Sequence, residues 1–178
     1  MSAKKNDRIV PYLKRLFRYA WALTRTDEAA EDLVQEAARK ALAARRTPED
    51  ESAYRAWLFT ILRNQHRDDL RRLNVVEKYI SQNDEDGAEY MEYWPEDERL
   101  INKIAVKRAL AAMPEKHAEI LMLIDMAGFS YREAAKILDV PTGTVMSRLN
   151  RARAAMMKVL ESDSGNVVDL SVRRKQRG

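Results

Sequence analysis

GFSYREAAKILDVPTGTVMSRLNRAR, from Gly128 to Arg153, reads as two short helices around a tight turn. Gly128 is a helix stop for the apolar run before it. Ser130 is placed to cap the next helix, and Glu133, three residues on, completes a capping box. Tyr131, Ala134, Ala135 and Leu138 then fall at i, i+3, i+4 and i+7 and share one buried face. Asp139-Val140-Pro141 breaks that helix, because proline has no N–H to donate and disfavours a helical residue before it. A second helix starts at about Thr142, with Val145, Leu149, Ala152 and Met156 as its inner stripe.

The outer side of this second helix carries Thr144, Ser147, Arg148 and Arg151. Two hydroxyls and two guanidinium groups near a helix N-terminus suit phosphates and base edges. The helix dipole favours anions there, and arginine can bond guanine through two donors. A solvated arginine face on an ordinary bundle would look similar by periodicity alone. The capping box, the small Ala134 and Ala135 at the packing corner and the Pro141 turn favour a helix-turn-helix, its second helix offered to a major groove.

Outward from this stretch, the chain has 178 residues, enough for one or two domains with real cores. Hydrophobic residues make up 46% and charged ones 34%, with five glycines and five prolines, which favours an all-helical protein over a sheet protein. Net charge is +4, so its distribution matters more than its total. Cysteine is absent, which excludes disulfides, thiolate nucleophiles and cysteine-bound metal. Two histidines, His66 and His117, are too few for a histidine-rich metal site, and neither a metal nor a cofactor is expected. No run approaches the ~18 apolar residues of a spanning helix, and MSAKKNDR at the start is polar. A cytoplasmic protein without membrane insertion is expected.

Ile9, Leu13, Leu16, Ala20 and Leu23 mark one face of a helix ending near Thr24. Thr26 or Asp27 caps a second helix whose apolar stripe is Ala30, Leu33, Val34, Ala37 and Ala41. Arg45 to Ser52 is a polar loop carrying Pro48. A third helix spans about Ala53 to Leu73, with Leu58, Ile61 and Leu62 available for the core. Tyr54, Trp57 and Phe59 open it. Arg63, Arg67 and Arg71 climb it at i, i+4 and i+8, with Asn64, His66 and Arg72 alongside. Aromatic rings that stack on bases and arginines that pair with phosphates are what a single strand requires, although such aromatics are more often core. HRD at His66 to Asp68 lacks the other parts of a kinase, and DEDG at Asp84 to Gly87 lacks the end residues of a calcium loop.

From Glu77 to Glu98 the chain holds nine acidic residues against one lysine, and hydrophobic periodicity disappears. This reads as a linker. Tyr90, Met91, Tyr93 and Trp94 within it are apolar enough to dock on a surface. A helix from about Leu100 to Ala112, then Met113-Pro114 and the dense apolar run Ile120, Leu121, Leu123, Ile124 and Met126, lead to the helix-turn-helix. The last residues, GNVVDLSVRRKQRG, form a short basic tail.

AEDLVQE (Ala30 to Glu36), RAWLFTILRN…RDDLRR (Arg55 to Arg72) and SYREAAKILDVPTGTVMSRLNRAR resemble, in order and spacing, the extracytoplasmic-function (group IV) sigma factors of bacterial RNA polymerase. The resemblance implies an all-α chain of two small helical domains joined by a flexible acidic linker. Sigma region 2, a three- or four-helix bundle, would span 8–73, the linker 74–103, the region 4 helix-turn-helix 104–162, and a basic tail 163–178. It implies that Asp32, Gln35 and Glu36 face core polymerase, with the β′ clamp helices and the β flap as docking points. Trp57, Arg63, Asn64, Arg67, Arg71 and Arg72 would meet the −10 element, and the loop before them would hold a flipped-out base. Thr144, Ser147, Arg148, Arg151 and Arg153 would read the −35 element. The same resemblance implies promoter DNA and an anti-sigma factor as partners, a free monomer, a nucleoid location when active, and no enzymatic activity. A stand-alone helix-turn-helix regulator is the alternative, but it leaves residues 10–73 without a role.

Overall fold

The computed structural model describes residues 7–77 and 100–164, with side chains over 7–73 and 106–161. The stretch Tyr90–Trp94, most of the acidic linker and the basic tail lie outside the described residues. Among the described residues there are helices and no strand. After a 3-10 turn at Val10–Tyr12 come α1 (Leu13–Thr24), α2 (Asp27–Ala43) and α3 (Glu51–Glu77). The second unit comprises α4 (Leu100–Ala112), α5 (Glu115–Leu121) leading into a π turn at Met122–Met126, α6 (Tyr131–Leu138) and α7 (Thr142–Ser164). Helix α3 thus runs past the expected end at Leu73, while α4 has the expected bounds.

Local chemistry accounts for the helix ends. Arg25 closes α1 in the left-handed conformation, φ 70°, its N–H bonded to the Trp21 carbonyl at 2.8 Å. Thr26 then caps α2, its hydroxyl oxygen accepting from the Ala29 N–H at 3.3 Å. Acidic Asp27 and Glu28 start α2 and Lys40 ends it, as the dipole prefers. The capping box at α6 is present in both directions. Asp139 ends α6 at φ 53° and Thr142 starts α7, so the turn lies where Pro141 requires it.

The stripe Ala30, Leu33, Val34, Ala37 and Ala41 is buried where α2 packs on α1 and α3. Helix α1 is different. Leu16, Phe17, Tyr19, Ala20, Trp21, Ala22 and Leu23 are all buried, so its apolar side is wide and only Lys14 and Arg15 lie exposed. An apolar side that wide needs cover from more than one neighbour. Helices α2 and α3 cover one side, and α5 with the π turn covers another. Both units therefore share a continuous core. Phe59 of α3 meets Phe129, before α6, edge to face at 4.9 Å, and Tyr19 lies 5.2 Å from Phe59. The sequence reading expects two helical units joined by a linker, and the structure adds that they pack directly on each other.

Gly128 adopts φ +73° with nothing within 4 Å of a notional Cβ, so the backbone conformation, not space, demands glycine. Gly128→Ala is expected to cost about 1–2 kcal/mol, the penalty of a left-handed non-glycine residue. Thermal denaturation should show the melting point falling by several degrees with the helical signal retained.

Candidate nucleic-acid interface

The long helix α3 sets out its basic residues along one side. Asn64, Arg67, Arg71 and Arg72 are exposed. Arg71 and Arg72 hold Asp68 and Asp69 at 3.4 and 3.8 Å, one turn back on the same helix. Such surface pairs are worth little, so a phosphate can replace the carboxylate cheaply. Trp57 is half-buried against the core, its ring 5.6 Å from that of Tyr54. Tyr54 and Phe59 are core residues outright.

Arg63 is committed elsewhere. Its side chain is 13% exposed, and its Nε donates to Glu119 of α5 at 2.7 Å. Glu119, itself 6% exposed, also accepts from the Tyr19 hydroxyl at 3.0 Å. Burial pushes the Tyr19 phenol well up, and the neighbouring Glu119 charge adds to it. The phenol is thus a fixed donor. One carboxylate of the second unit thus occupies an arginine of the face that the sequence reading expects at the −10 element.

On α7, Ser147 and Arg151 are exposed, while Thr144 and Arg148 are half-buried. The Ser147 hydroxyl donates to the Thr144 carbonyl at 3.1 Å, and Arg151 Nε donates to the Ser147 carbonyl at 3.2 Å. Both side chains lie back along their own helix and can swing outward without breaking a tertiary contact. Arg153 reaches Asp125 of the π turn with two bonds, at 2.5 and 3.1 Å. On α2, Asp32 and Gln35 are exposed, and Glu36 accepts from Arg39 at 2.6 and 2.8 Å. Those bonds from Arg39 lower the Glu36 carboxyl below its usual range.

The units also place part of both cationic faces around one cleft. Arg63 and Arg67 of α3, Lys116 of α5 and Arg148 of α7 line a cavity of about 360 Å³ together with Glu115 and Glu119. That is the size of a small-molecule site, so a duplex does not enter it. Arg63, Arg67 and Arg148, expected at two different DNA elements, thus line one cleft.

Several residues that hold this arrangement were not singled out in the sequence. Glu133 of the capping box accepts from Ser52 at 2.8 Å and lies 3.5 Å from Arg55. The Arg55 guanidinium sits 4.2 Å from the Phe129 ring centre. Lys107 pairs with Asp27 at 3.1 Å and lies over the Trp21 ring. Arg25 donates to the Leu110 and Met113 carbonyls at the end of α4. The signal for Glu119 was present: it is a lone carboxylate inside the apolar run Ala118 to Ile124. The capping box in turn concealed Glu133's second role.

Compared with known proteins, residues 9–75 match the family model for Sigma-70 region 2 and residues 103–156 that for Sigma-70, region 4. The fold and its cationic helices therefore define a protein of the sigma-70 class. An ECF RNA polymerase sigma factor, EcfG, of Rhodopseudomonas palustris is 34% identical over 88% of this chain and 85% of its own length. The ECF RNA polymerase sigma-E factor of Escherichia coli is 35% identical over 70% of each chain. The sigma factor RpoE of Bartonella quintana, solved in complex with the anti-sigma factor NepR, superposes with a TM-score of 0.73 at 33% identity. That superposition covers 89% of this chain and 97% of RpoE. The chain belongs to the ECF RNA polymerase sigma factors.

Two measurements check the packed arrangement. Glu119→Ala leaves Tyr19 and Arg63 without their shared acceptor, and removing one side of a buried pair costs about 3–5 kcal/mol. Small-angle scattering should show a larger radius of gyration than wild type, with helical content kept. Burial would raise the Glu133 carboxyl, but bonds from Ser130 and Ser52 and the charge of Arg55 outweigh it and hold it at about 2. Its contribution is then complete above pH ~4.5 and is lost as pH falls toward 2. Acid titration of Glu133→Gln should lack the part of the unfolding transition that wild type shows in that window.

Proposed function

We propose that this chain is a promoter-specificity subunit that directs core RNA polymerase to its start sites and is not itself an enzyme. One observation carries the reading: a single chain of the sigma-70 class bears two cationic helical faces, on α3 and α7, partly turned toward each other. The −35 and −10 elements, by their nominal positions, lie about 25 base pairs apart, about 85 Å of B-form axis at roughly 3.4 Å per pair. Units in direct contact cannot span that length, so the packed form is the inactive one and mounting on polymerase separates them. Asp32, Gln35 and Glu36 of α2 face the polymerase at the β′ clamp helices, and the second unit docks on the β flap.

In the open form Arg63 exchanges Glu119 for a phosphate. Trp57, Asn64, Arg67, Arg71 and Arg72 complete the −10 face, and the loop between α2 and α3 holds a base taken out of the stack. Unstacking costs a few kcal/mol, so a binding site for that base is required. Thr144, Ser147, Arg148, Arg151 and Arg153 read the −35 element from the major groove. An anti-sigma factor keeps the packed form closed; the Bartonella relative was crystallised in complex with one, NepR. The free protein is a cytoplasmic monomer and joins the nucleoid when active. Among the described residues no helix is long and apolar enough to cross a membrane.

Run-off transcription with purified core polymerase on a promoter library tests the proposal, and absence of any start site with added chain would refute it. Arg148→Ala and Arg151→Ala should each lower output from promoters with a −35 element by roughly 5- to 150-fold, the equivalent of ~1–3 kcal/mol per bidentate contact. Asp32→Arg should reduce co-purification with core polymerase at unchanged thermal stability.

A further inference from the structure

The chain between α2 and α3 is held in only one of its halves. Arg8 crosses to it from the start of the chain. Its Nη1 donates to the Pro48 carbonyl at 2.7 Å, its Nη2 to the Glu49 carbonyl at 2.9 Å and its Nε to Glu51 at 3.0 Å. The guanidinium plane lies 3.9 Å from the centre of the Tyr54 ring. Tyr12 donates its hydroxyl to the second oxygen of Glu51 and meets Tyr54 edge-on at 6.0 Å. Asp50 accepts from the Ala53 N–H at 2.8 Å and so starts α3. The other half differs. Among the described residues, Arg45, Arg46 and Thr47 make no hydrogen bond, and both arginines are exposed.

A segment with one half clamped and the other carrying unspent backbone donors and acceptors is prepared to receive a polar edge. Two exposed guanidinium groups beside it suit the phosphates on either side of that edge. Holding the acceptor in place before binding lowers the entropy cost of ordering it. Only arginine can supply this clamp. Three donors in a fixed plane and a flat face for Tyr54 are used at once, and lysine has neither.

We propose that Arg8 is a positioning residue. By fixing the Pro48 and Glu49 carbonyls against Tyr54, it presets residues 45–47 to receive the base drawn from the promoter strand. This rests on the reading of the first unit as the one that engages the −10 element.

The test uses the full chain bound to core polymerase and fork-junction DNA, either intact or with one abasic site at each −10 position in turn. Binding is followed by fluorescence anisotropy. Wild type should lose on the order of tenfold in affinity at one abasic position, the worth of one held base. Arg8→Lys and Arg8→Ala should bind the intact fork more weakly and be nearly indifferent to that same abasic site. Amide hydrogen exchange over residues 45–50 of the free protein should be faster in both variants, with the rest of α2 and α3 unchanged. If Arg8→Ala does not fold, Arg8→Lys, which keeps the charge, carries the comparison. Variants as sensitive as wild type to the abasic site would overturn the role of Arg8 alone. A wild type indifferent at every position would instead overturn the base-holding reading of the first unit, and this proposal with it.

Discussion

A buried carboxylate shared by two units of one chain is the constraint on which this structure turns. Glu119 sits between the Tyr19 hydroxyl and the Arg63 guanidinium, and all three come from different helices. Removing a carboxylate from water is expensive, and its partners must be well placed to offset that cost. Helix α1 supplies the phenol from its wide apolar side, and α3 supplies the arginine from the stretch that packs against the second unit. The contact is strong only when both are present. It therefore favours one relative placement of the units over many.

Around this ion pair the interface mixes apolar and polar contacts. Phe59 and Phe129 form the dry centre, with Arg55 stacked on the Phe129 ring and paired with Glu133. Lys107 with Asp27, and Arg25 with the carbonyls of Leu110 and Met113, lie to one side. Interfaces of this kind within a chain resemble transient protein–protein contacts, and opening is the natural response to a competing partner. A partner that binds only the separated units gains its leverage from the difference in affinity for the two forms. Core polymerase with promoter DNA is the partner proposed for that role.

The helix-turn-helix was legible because every signal in it is local. Ser130 with Glu133, Gly128 and Pro141 act within a few residues, and α6 begins and ends, and α7 begins, where those signals put them. The stripe of α2 was equally plain, since its period of 3.6 needs no partner to be seen. The second face of α1 was harder to read. Phe17, Tyr19 and Ala22 lie off the expected stripe, and Tyr19 is buried against Glu119 of α5 and Phe59 of α3. The candidate site residues divide in the same way. Ser147, Arg151, Asn64 and Arg67 lie exposed on their helices, whereas Arg63 and Arg153 are engaged by Glu119 and Asp125.

The amino-acid sequence by itself determined the helices, their caps, the turn and the two basic faces, because propensity, periodicity and capping operate over one or two turns of chain. The tertiary structure alone decided that the faces are partly closed on each other and that Arg8 grips a loop some forty residues away. Contacts across such separations depend on where whole helices come to rest. No spacing within a single helix records which carboxylate will meet which arginine.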